Sequence, residues 1–217
     1  MERIPGNPYC AGKTGNMILQ RVYVIYCMIK YLIIFTLLFS CSHPHYKDPH
    51  IIIETNYGDI EAELYPDKAP KTVAAFLSYI DSGYYTNSSF YRVVRVEDGA
   101  GVNYGIVQGG IWLTNDKLHP SVPGIVHEST RQSGLSHTSG VISLARTTPG
   151  TASTEFFICI GDQSQFDYGN SHGGDTLGFA AFGKVLEGMD IVRKIQSQPA
   201  SGESFTEKIK INTIKRL

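Results

Sequence analysis

The chain has 217 residues, of which 42% are hydrophobic and 18% are charged, and its formal net charge is -1. This length suits one globular domain with a short appendage better than two full domains. Proteins that bind nucleic acids usually carry a clear basic excess, so the charge balance argues against that class. Four cysteines, at positions 10, 27, 41 and 159, show neither metal-ligand spacing nor the pattern of a disulfide framework.

The first 40 residues have the character of a leader. Lys30 precedes a nine-residue apolar stretch at positions 31–39, and the small residue Ser40 precedes Cys41. This order of charge, apolar run and small residue is typical of a secretory signal peptide. The sequence LFSC at its end resembles a lipobox, which implies that Cys41 is lipidated and becomes the N-terminus after cleavage. We therefore predict a lipid-anchored protein of the bacterial cell envelope, on the periplasmic side.

The alternative to a cleaved leader is a transmembrane helix. A transmembrane helix over residues 17–40 would contain Arg21 and Lys30, and a charged residue at the centre of a membrane helix costs about 2.5 to 3.5 kcal/mol. The nine-residue apolar stretch alone is too short, because a helix needs roughly 20 apolar residues to cross a bilayer.

The start of translation is a separate question. Residues 1–27 lack the features of a targeting segment, so we predict that translation starts at Met28.

A polar tether follows the leader. Residues 41–49 contain two prolines and no periodic apolar pattern, which is typical of a flexible linker. His43, His45 and His50 lie in or next to this segment, but their spacing on a flexible segment favours a plain linker over a metal site. We predict neither a metal nor a cofactor for the chain.

The folded domain is predicted to cover residues 50–217. It begins with two strands, at residues 51–55 and 60–65, joined by the turn-forming sequence NYGD. In the second strand, isoleucine, alanine and leucine alternate with two glutamates. This alternation predicts one buried face and one solvated face.

Two helices are predicted, far apart in the sequence. The first begins at Pro70 and ends at Gly83, with apolar residues at helical spacing between them, and the second covers residues 189–195. Many short strands with glycine-rich turns, together with two separate helices, indicate a mainly β fold, either a barrel or a sandwich. Residues 96–104 and 111–132 are predicted as long surface loops. The remaining strands are predicted at residues 90–94, 105–108, 140–145, 156–160, 179–185 and 208–214.

Four separated segments resemble the motifs of cyclophilins, in the same order. They read FYRVV from residue 90, VQGG from residue 107, GVISLA from residue 140 with FFI from residue 156, and FGKV from residue 182 with EGM from residue 187. The resemblance extends over about residues 50–217. It implies a closed eight-stranded antiparallel barrel capped by two helices. It also implies catalysis of cis/trans rotation about the bond that precedes proline in polypeptides.

That rotation faces a barrier of about 18 to 20 kcal/mol because of amide resonance, and it breaks no bond. A catalyst needs an apolar pocket for the proline ring and a donor that favours the twisted nitrogen over the planar one. The resemblance assigns the role of donor to Arg92, whose guanidinium is a rigid, always charged fork. It implies substrate contacts for Gln108, Phe157, Ile106, Phe166, Ala145, Glu155 and Phe179, with Phe157 as the floor of the proline pocket.

Three positions differ from the better-known eukaryotic cyclophilins. Glu155 stands where glutamine is usual, Phe179 where histidine is usual, and Gln165 where tryptophan is usual. Because Glu155 and Phe157 share one face of an extended strand, we expect Glu155 near the pocket, where its carboxylate can pair with Arg92 and orient the guanidinium. Such a pair occupies donors that the substrate needs. It predicts a lower activity than glutamine at position 155 would give.

Two other functions remain open at this level. A serine hydrolase needs a paired serine and histidine, but no nucleophile elbow is predicted, and His119, His127, His137 and His172 lie in apparent loops without an identifiable partner. The second alternative is a chaperone that binds proline-containing segments without catalysis. Arg92 argues against it, because binding alone does not need that donor. Nothing in the sequence indicates more than a monomer.

Overall fold

The computed structural model describes residues 21, 23–28, 30, 46–97, 103–114, 122–170 and 175–217. The chain divides into two units, Met1–His45 and Tyr46–Leu217. In the first unit, residues 21, 23–28 and 30 are helical, and no helix among the described residues is long and apolar enough to cross a membrane. Cys41 and the apolar stretch before it lie outside the described residues, as do His43 and His45.

Within the described part of the second unit, nine strands form one antiparallel sheet. They are β1 (His50–Thr55), β2 (Gly58–Leu64), β3 (Ser88–Glu97), β4 (Asn103–Gly110), β5 (Val141–Leu144), β6 (Phe156–Ile160), β7 (Ala180–Glu187), β8 (Ala200–Ser201) and β9 (Ser204–Arg216). Their order is β1-β2-β7-β5-β6-β4-β3-β9-β8, and β9 also pairs with β1. This pairing closes eight strands into a barrel, while the short β8 forms a hairpin with β9. The predicted closed eight-stranded antiparallel barrel is confirmed.

Three helices accompany the barrel among the described residues: α1 (Pro70–Asp81), α2 (Thr130–Ser133) and α3 (Met189–Gln196). Proline stands at the start of α1, where its missing N–H is not needed, and Gly83 follows the helix with a left-handed φ of 71°. Both α1 and α3 bury their apolar sides against the strands. They are the two helices predicted from the sequence, whereas the four-residue α2 was not predicted.

Aromatic rings fill the core of the barrel. Phe76 of α1 lies 5.2 Å from Tyr85, 5.6 Å from Phe156 and 4.9 Å from Phe182, measured between ring centroids, in tilted or edge-on arrangements. Phe90 contacts Phe156 edge-on at 5.7 Å. Aromatic pairs favour these geometries, and each ring brings a large apolar area out of water. The interior is thus packed with side chains, which leaves the outer surface of the strands for a binding site.

A bulge in β3 decides which of its side chains face outward. The register of β3 with both β4 and β9 shifts between Phe90 and Arg92. In a regular strand, neighbouring side chains point to opposite faces of the sheet. Because the extra residue breaks this alternation, Tyr91 and Arg92 both line one surface cleft, while Phe90 stays in the core.

The two long loops predicted from the sequence are shorter in the structure. The strand β3 continues to Glu97 and β4 begins at Asn103, so the hairpin extends into the segment predicted as residues 96–104. The cross-strand pairs in this part of the hairpin are Val96 with Tyr104 and Glu97 with Asn103. The helix α2 begins within the segment predicted as residues 111–132, where Ser129 and Gln132 form a capping box.

We expect Phe156→Ala to lower the free energy of unfolding by roughly 3 to 5 kcal/mol, because it removes a fully buried ring that contacts three other aromatic residues. Urea denaturation followed by circular dichroism measures this change. Leu186→Ala, at a position of β7 that is 48% exposed, serves as a control and is expected to stay within about 0.5 kcal/mol of the original chain. Equal effects of the two substitutions contradict the core position of Phe156.

Candidate active site

A cleft of about 850 Å³ lies on the face of β3, β4 and β6 that points away from the main core. It brings together all of the residues that the sequence assigned to the site: Arg92, Gln108, Phe157, Ile106, Phe166, Ala145, Glu155 and Phe179. Other residues that line it were not predicted, among them Tyr91, Trp112, Arg146 and Glu203. Gln165 is not among the lining residues, and its side chain donates to Gln163 Oε1 at 2.7 Å.

Three phenylalanines form the apolar floor and wall of the cleft. Phe157 lies 5.5 Å from both Phe166 and Phe179, and these two lie 5.3 Å from each other, with ring planes inclined by 65° to 88°. Phe157 belongs to β6, directly after the core residue Phe156, so strand alternation turns it to the outer face. The result is a compact apolar pocket for a small ring.

Arg92 lies at the polar side of this pocket and is held by two partners. Its Nη1 donates to Gln108 Oε1 at 2.8 Å, and its Nε and Nη2 lie 2.8 and 2.6 Å from Glu203 Oε2. A guanidinium has five N–H groups. Among the described residues, Gln108 and Glu203 accept hydrogen bonds from three of these groups, which leaves two for a bound molecule. Glu203 is 111 positions from Arg92 and lies in the turn between β8 and β9.

The Glu155 carboxylate does not pair with Arg92, so that prediction was wrong. Its Oε2 accepts from the Tyr91 hydroxyl at 2.7 Å. Its Oε1 accepts from the backbone N–H groups of Ile111 and Trp112, at 2.9 and 3.1 Å, and from the Thr154 hydroxyl at 3.0 Å. All four donors lie within 3.1 Å of the carboxylate oxygens. The expected gain of activity on replacing Glu155 by glutamine therefore loses its physical basis.

The turn after β4 explains why backbone donors surround the Glu155 carboxylate. Gly110 has a φ of 149°, and a Cβ atom at that position would lie 2.4 Å from Glu155 Oε2. Only glycine adopts this backbone conformation readily and leaves room for the carboxylate. The next two backbone N–H groups then point at the carboxylate, which a reading of side-chain types alone does not reveal.

The wall formed by Phe179 rests on a buried arginine. The side chain of Arg146 is 1% exposed, donates to both Asp175 oxygens at 2.8 Å, and places its guanidinium 5.1 Å from the centre of the Phe179 ring. Its Nε also donates to the Gly178 carbonyl at 2.9 Å. The hydrogen bond from Arg146 lowers the pKa of Asp175 to about 2, so the pair stays ionised. Arg146 was not predicted as a site residue, and its position next to Ala145 is the one signal that could have indicated it.

A serine, a histidine and an aspartate are linked beneath the floor of the cleft. His137 Nδ1 lies 2.6 Å from Asp167 Oδ1, and its Nε2 lies 3.0 Å from Ser143 Oγ. This is the order of groups found in serine hydrolases. However, His137 and Ser143 are both 0% exposed, and neither lines the cleft, so no substrate reaches the serine. The imidazole stacks under Phe157 at 5.9 Å and supports the floor.

The other histidines offer no second arrangement of this kind within the described residues. His127 Nε2 contacts the Leu177 carbonyl at 3.1 Å, while His119 and His172 lie outside the described residues. His137 was predicted to lie in a loop without an identifiable partner. Its partners come from positions 143 and 167, and only the folded chain brings them together.

We expect His137 to be neutral in the folded protein at neutral pH. Burial lowers its pKa below the ordinary value of 6.5, and Asp167 opposes this shift only in part. As the pH falls through 6.5, the unfolded chain takes up a proton before the folded chain does, so the free energy of unfolding decreases. An NMR titration of the assigned imidazole signal is the direct measurement. A midpoint at or above 6.5 contradicts the buried, neutral state.

Known proteins are similar to the second unit in sequence and in architecture. The family model described as cyclophilin type peptidyl-prolyl cis-trans isomerase/CLD matches residues 50–216. A peptidyl-prolyl cis-trans isomerase of Acinetobacter baylyi is 34% identical over 164 residues, which cover 75% of this chain and 80% of the relative. Peptidyl-prolyl cis-trans isomerase B of Escherichia coli is 34% identical over 158 residues, which cover 71% of this chain and 87% of the relative.

Solved structures agree with this result at the level of the fold. The crystal structure of a cyclophilin type peptidyl-prolyl cis-trans isomerase of Cryptosporidium parvum has a TM-score of 0.62 and 23% identity, and covers 78% of this chain and 98% of that chain. A second crystal structure of that protein, determined in the presence of the dipeptide Ala-Pro, has a TM-score of 0.60. The barrel and its outer cleft thus define a cyclophilin-like protein. The chain belongs to the family of cyclophilin-type peptidyl-prolyl cis-trans isomerases, as the four motifs predicted.

Proposed function

We propose that this chain catalyses cis/trans rotation of X-Pro bonds in polypeptides by donating hydrogen bonds from Arg92 to the prolyl nitrogen. The observation that carries the proposal is the position of Arg92 beside the apolar pocket. Two of its N–H groups remain for a substrate, because Gln108 and Glu203 take only three among the described residues. A structure of the similar Cryptosporidium parvum protein was determined in the presence of the dipeptide Ala-Pro, which supports a proline-containing substrate.

The chemistry follows from the electronic structure of the amide. In the planar X-Pro bond the nitrogen lone pair is delocalised into the carbonyl and is a poor acceptor. In the twisted state the lone pair localises on nitrogen and accepts a hydrogen bond. A donor placed at that nitrogen therefore stabilises the twisted state more than either planar state, and this difference lowers the barrier.

The pocket supplies the second requirement, which is to hold the ring still while the acyl side rotates. The floor formed by Phe157, with Phe166 and Phe179 beside it, offers an apolar surface on which a proline ring can rest. Gln108 and Glu203 fix the plane of the Arg92 guanidinium, so the donor does not have to reorganise as the bond twists. Neither a nucleophile nor a bond-breaking step is required.

We expect Arg92→Ala to lower kcat/KM toward a proline peptide by about 100-fold or more, the scale observed when a preorganised donor is removed from an active site. Arg92→Lys is also expected to be slow, because an ammonium group keeps the charge and loses the rigid fork. A protease-coupled peptide assay measures both rates. Arg193→Ala, at an exposed arginine of α3, is the matched control and is expected to retain the original rate.

The same experiment separates catalysis from binding. A non-catalytic chaperone for proline-containing segments needs the apolar pocket but not the donor. If Arg92→Ala and the original chain give equal isomerisation rates, the catalytic proposal is wrong and the binding alternative replaces it. If the rate falls while peptide affinity changes by only a few fold, the role of Arg92 in the twisted state is supported.

We further propose that the protein acts as a monomer at the periplasmic side of the bacterial cell envelope, held by a lipid on Cys41. The support for this location is the sequence of residues 28–41, which combines a lysine, an apolar stretch and the lipobox-like LFSC. Exported polypeptides with X-Pro bonds are then the substrates. The second unit begins at Tyr46, so residues 41–45 are the part of the predicted tether that would connect the lipid to the domain.

Replacement of Cys41 by serine tests this location. We expect Cys41→Ser to abolish incorporation of labelled palmitate in a bacterial host and to move the protein from the detergent phase to the aqueous phase of a Triton X-114 partition. Cys159→Ala, which removes the thiol that the folded domain keeps, controls for the loss of a thiol and is expected to change neither property. Continued labelling of the Cys41→Ser protein contradicts the lipid anchor, as does an original chain that carries no lipid by mass spectrometry.

A further inference from the structure

A chain of hydrogen bonds leads from Glu155 to Arg92, although these two side chains do not pair. The Tyr91 hydroxyl donates to Glu155 Oε2 at 2.7 Å. Gln108 Nε2 donates to the Tyr91 oxygen at 3.0 Å, and Gln108 Oε1 accepts from Arg92 Nη1 at 2.8 Å. In each of these three hydrogen bonds the donor is therefore the group that lies farther from Glu155 along the series.

The carboxylate fixes this direction. An ionised carboxylate only accepts hydrogen bonds, so the Tyr91 hydroxyl must turn its hydrogen toward Glu155. The Tyr91 oxygen is then an acceptor, and the Gln108 amide must present its nitrogen to it. Burial, together with the charge of Glu155, raises the pKa of Tyr91, so its hydroxyl keeps its proton. Gln108 is left with its oxygen facing Arg92, which is the orientation that holds the guanidinium.

We propose that Glu155 is a positioning residue for the isomerisation: through Tyr91 and Gln108 it sets the polarity of the hydrogen bonds that orient the Arg92 guanidinium. The inference rests on the proposed role of Arg92 as donor. Among the described residues no hydrogen bond or ion pair joins Glu155 to Arg92, so its influence on the guanidinium passes through the two side chains between them. The acidic residue at this position is thus a favourable partner of the catalytic arginine and not a competitor.

Replacement of Glu155 by glutamine reverses the direction of the hydrogen bonds between this position, Tyr91 and Gln108. The backbone N–H groups of Ile111 and Trp112 hold the oxygen of the new amide, because an N–H group does not accept from them. The amide nitrogen then faces Tyr91 and donates to its oxygen. The Tyr91 hydrogen either loses its buried acceptor or turns toward Gln108. In the second case the Gln108 amide rotates and places N–H groups against the N–H groups of Arg92, which no longer has its acceptor.

Glu155 also holds the turn after β4, and a purely structural role must be separated from the proposed one. Tyr91→Phe makes this separation, because it removes one hydroxyl and leaves all three bonds to Glu155 Oε1 in place. The turn keeps its anchor, whereas the connection from Glu155 to Gln108 is broken. If the connection matters, this variant behaves like Glu155→Gln in catalysis although the turn is intact.

The experiment measures kcat and KM by exchange NMR on a proline peptide for Glu155→Gln, Tyr91→Phe and the double variant. We expect each single variant to lower kcat by about tenfold with KM changed by less than about threefold, since a misplaced donor weakens the twisted state more than the planar states. The double variant is expected to be no slower than the slower single variant, because both substitutions interrupt the same connection. Glu207→Gln and Tyr168→Phe, which lie outside the cleft, are the matched controls.

An NMR measurement reports the orientation of the Gln108 amide directly. In the original chain the Gln108 amide protons lie next to the Tyr91 ring and give nuclear Overhauser contacts to it. Rotation of the amide in Glu155→Gln is expected to remove these contacts. A folded Glu155→Gln or Tyr91→Phe variant with kcat within twofold of the original overturns the inference, as do rate losses that multiply in the double variant. If Glu155→Gln does not fold, Tyr91→Phe alone decides by the same criterion.

The outcomes also distinguish this inference from the proposed function. A normal rate for Arg92→Ala removes the donor role and, with it, the reason for positioning that donor. A slow Arg92→Ala variant together with normal rates for Tyr91→Phe and Glu155→Gln leaves the proposed function intact and rejects only the role of Glu155.

Discussion

Closure of the barrel by the pairing of β1 with β9 is the constraint on which the rest of the structure depends. A closed sheet has no free edge, and its interior is filled by rings such as Phe76 and Phe156. Binding must therefore take place on the outer surface, where strand alternation and one bulge decide what is presented. Phe157 faces outward because Phe156 faces inward, and the bulge in β3 adds Tyr91 to the face that carries Arg92.

The cleft combines an apolar surface with polar support behind it. His137, in contact with Ser143 and Asp167, stacks beneath Phe157, and Arg146 lies against Phe179. These buried polar groups have hydrogen-bond partners, so they hold the rings in place without the cost of an unpaired group. An apolar pocket backed in this way keeps its shape when a ligand leaves, which suits a reaction in which the enzyme holds one ring still while the neighbouring group turns.

Much of the fold and of the site could be predicted from the sequence. Alternation predicted the first two strands, helical spacing and Pro70 predicted α1, and the four motifs predicted the barrel and the residues of the cleft. What the sequence did not reveal depends on distant contacts or on backbone groups. Glu203 reaches Arg92 across 111 positions, and Tyr91 shares a face with its neighbour only because of the bulge. The pairing of Glu155 was predicted wrongly because backbone N–H groups beyond Gly110 carry no signal in side-chain patterns.

The two partners of Arg92 come from distant parts of the sequence, so the support of its guanidinium is completed late in synthesis. Gln108 is made soon after Arg92, but Glu203 and the whole of β9 come from the last 15 residues of the chain. The barrel closes only when β9 pairs with both β3 and β1. A chain that lacks residues 203–216 therefore lacks Glu203, one of the two side chains that hold the Arg92 guanidinium, and its barrel stays open. The cleft is complete only after β9 has folded against the strands that were made first.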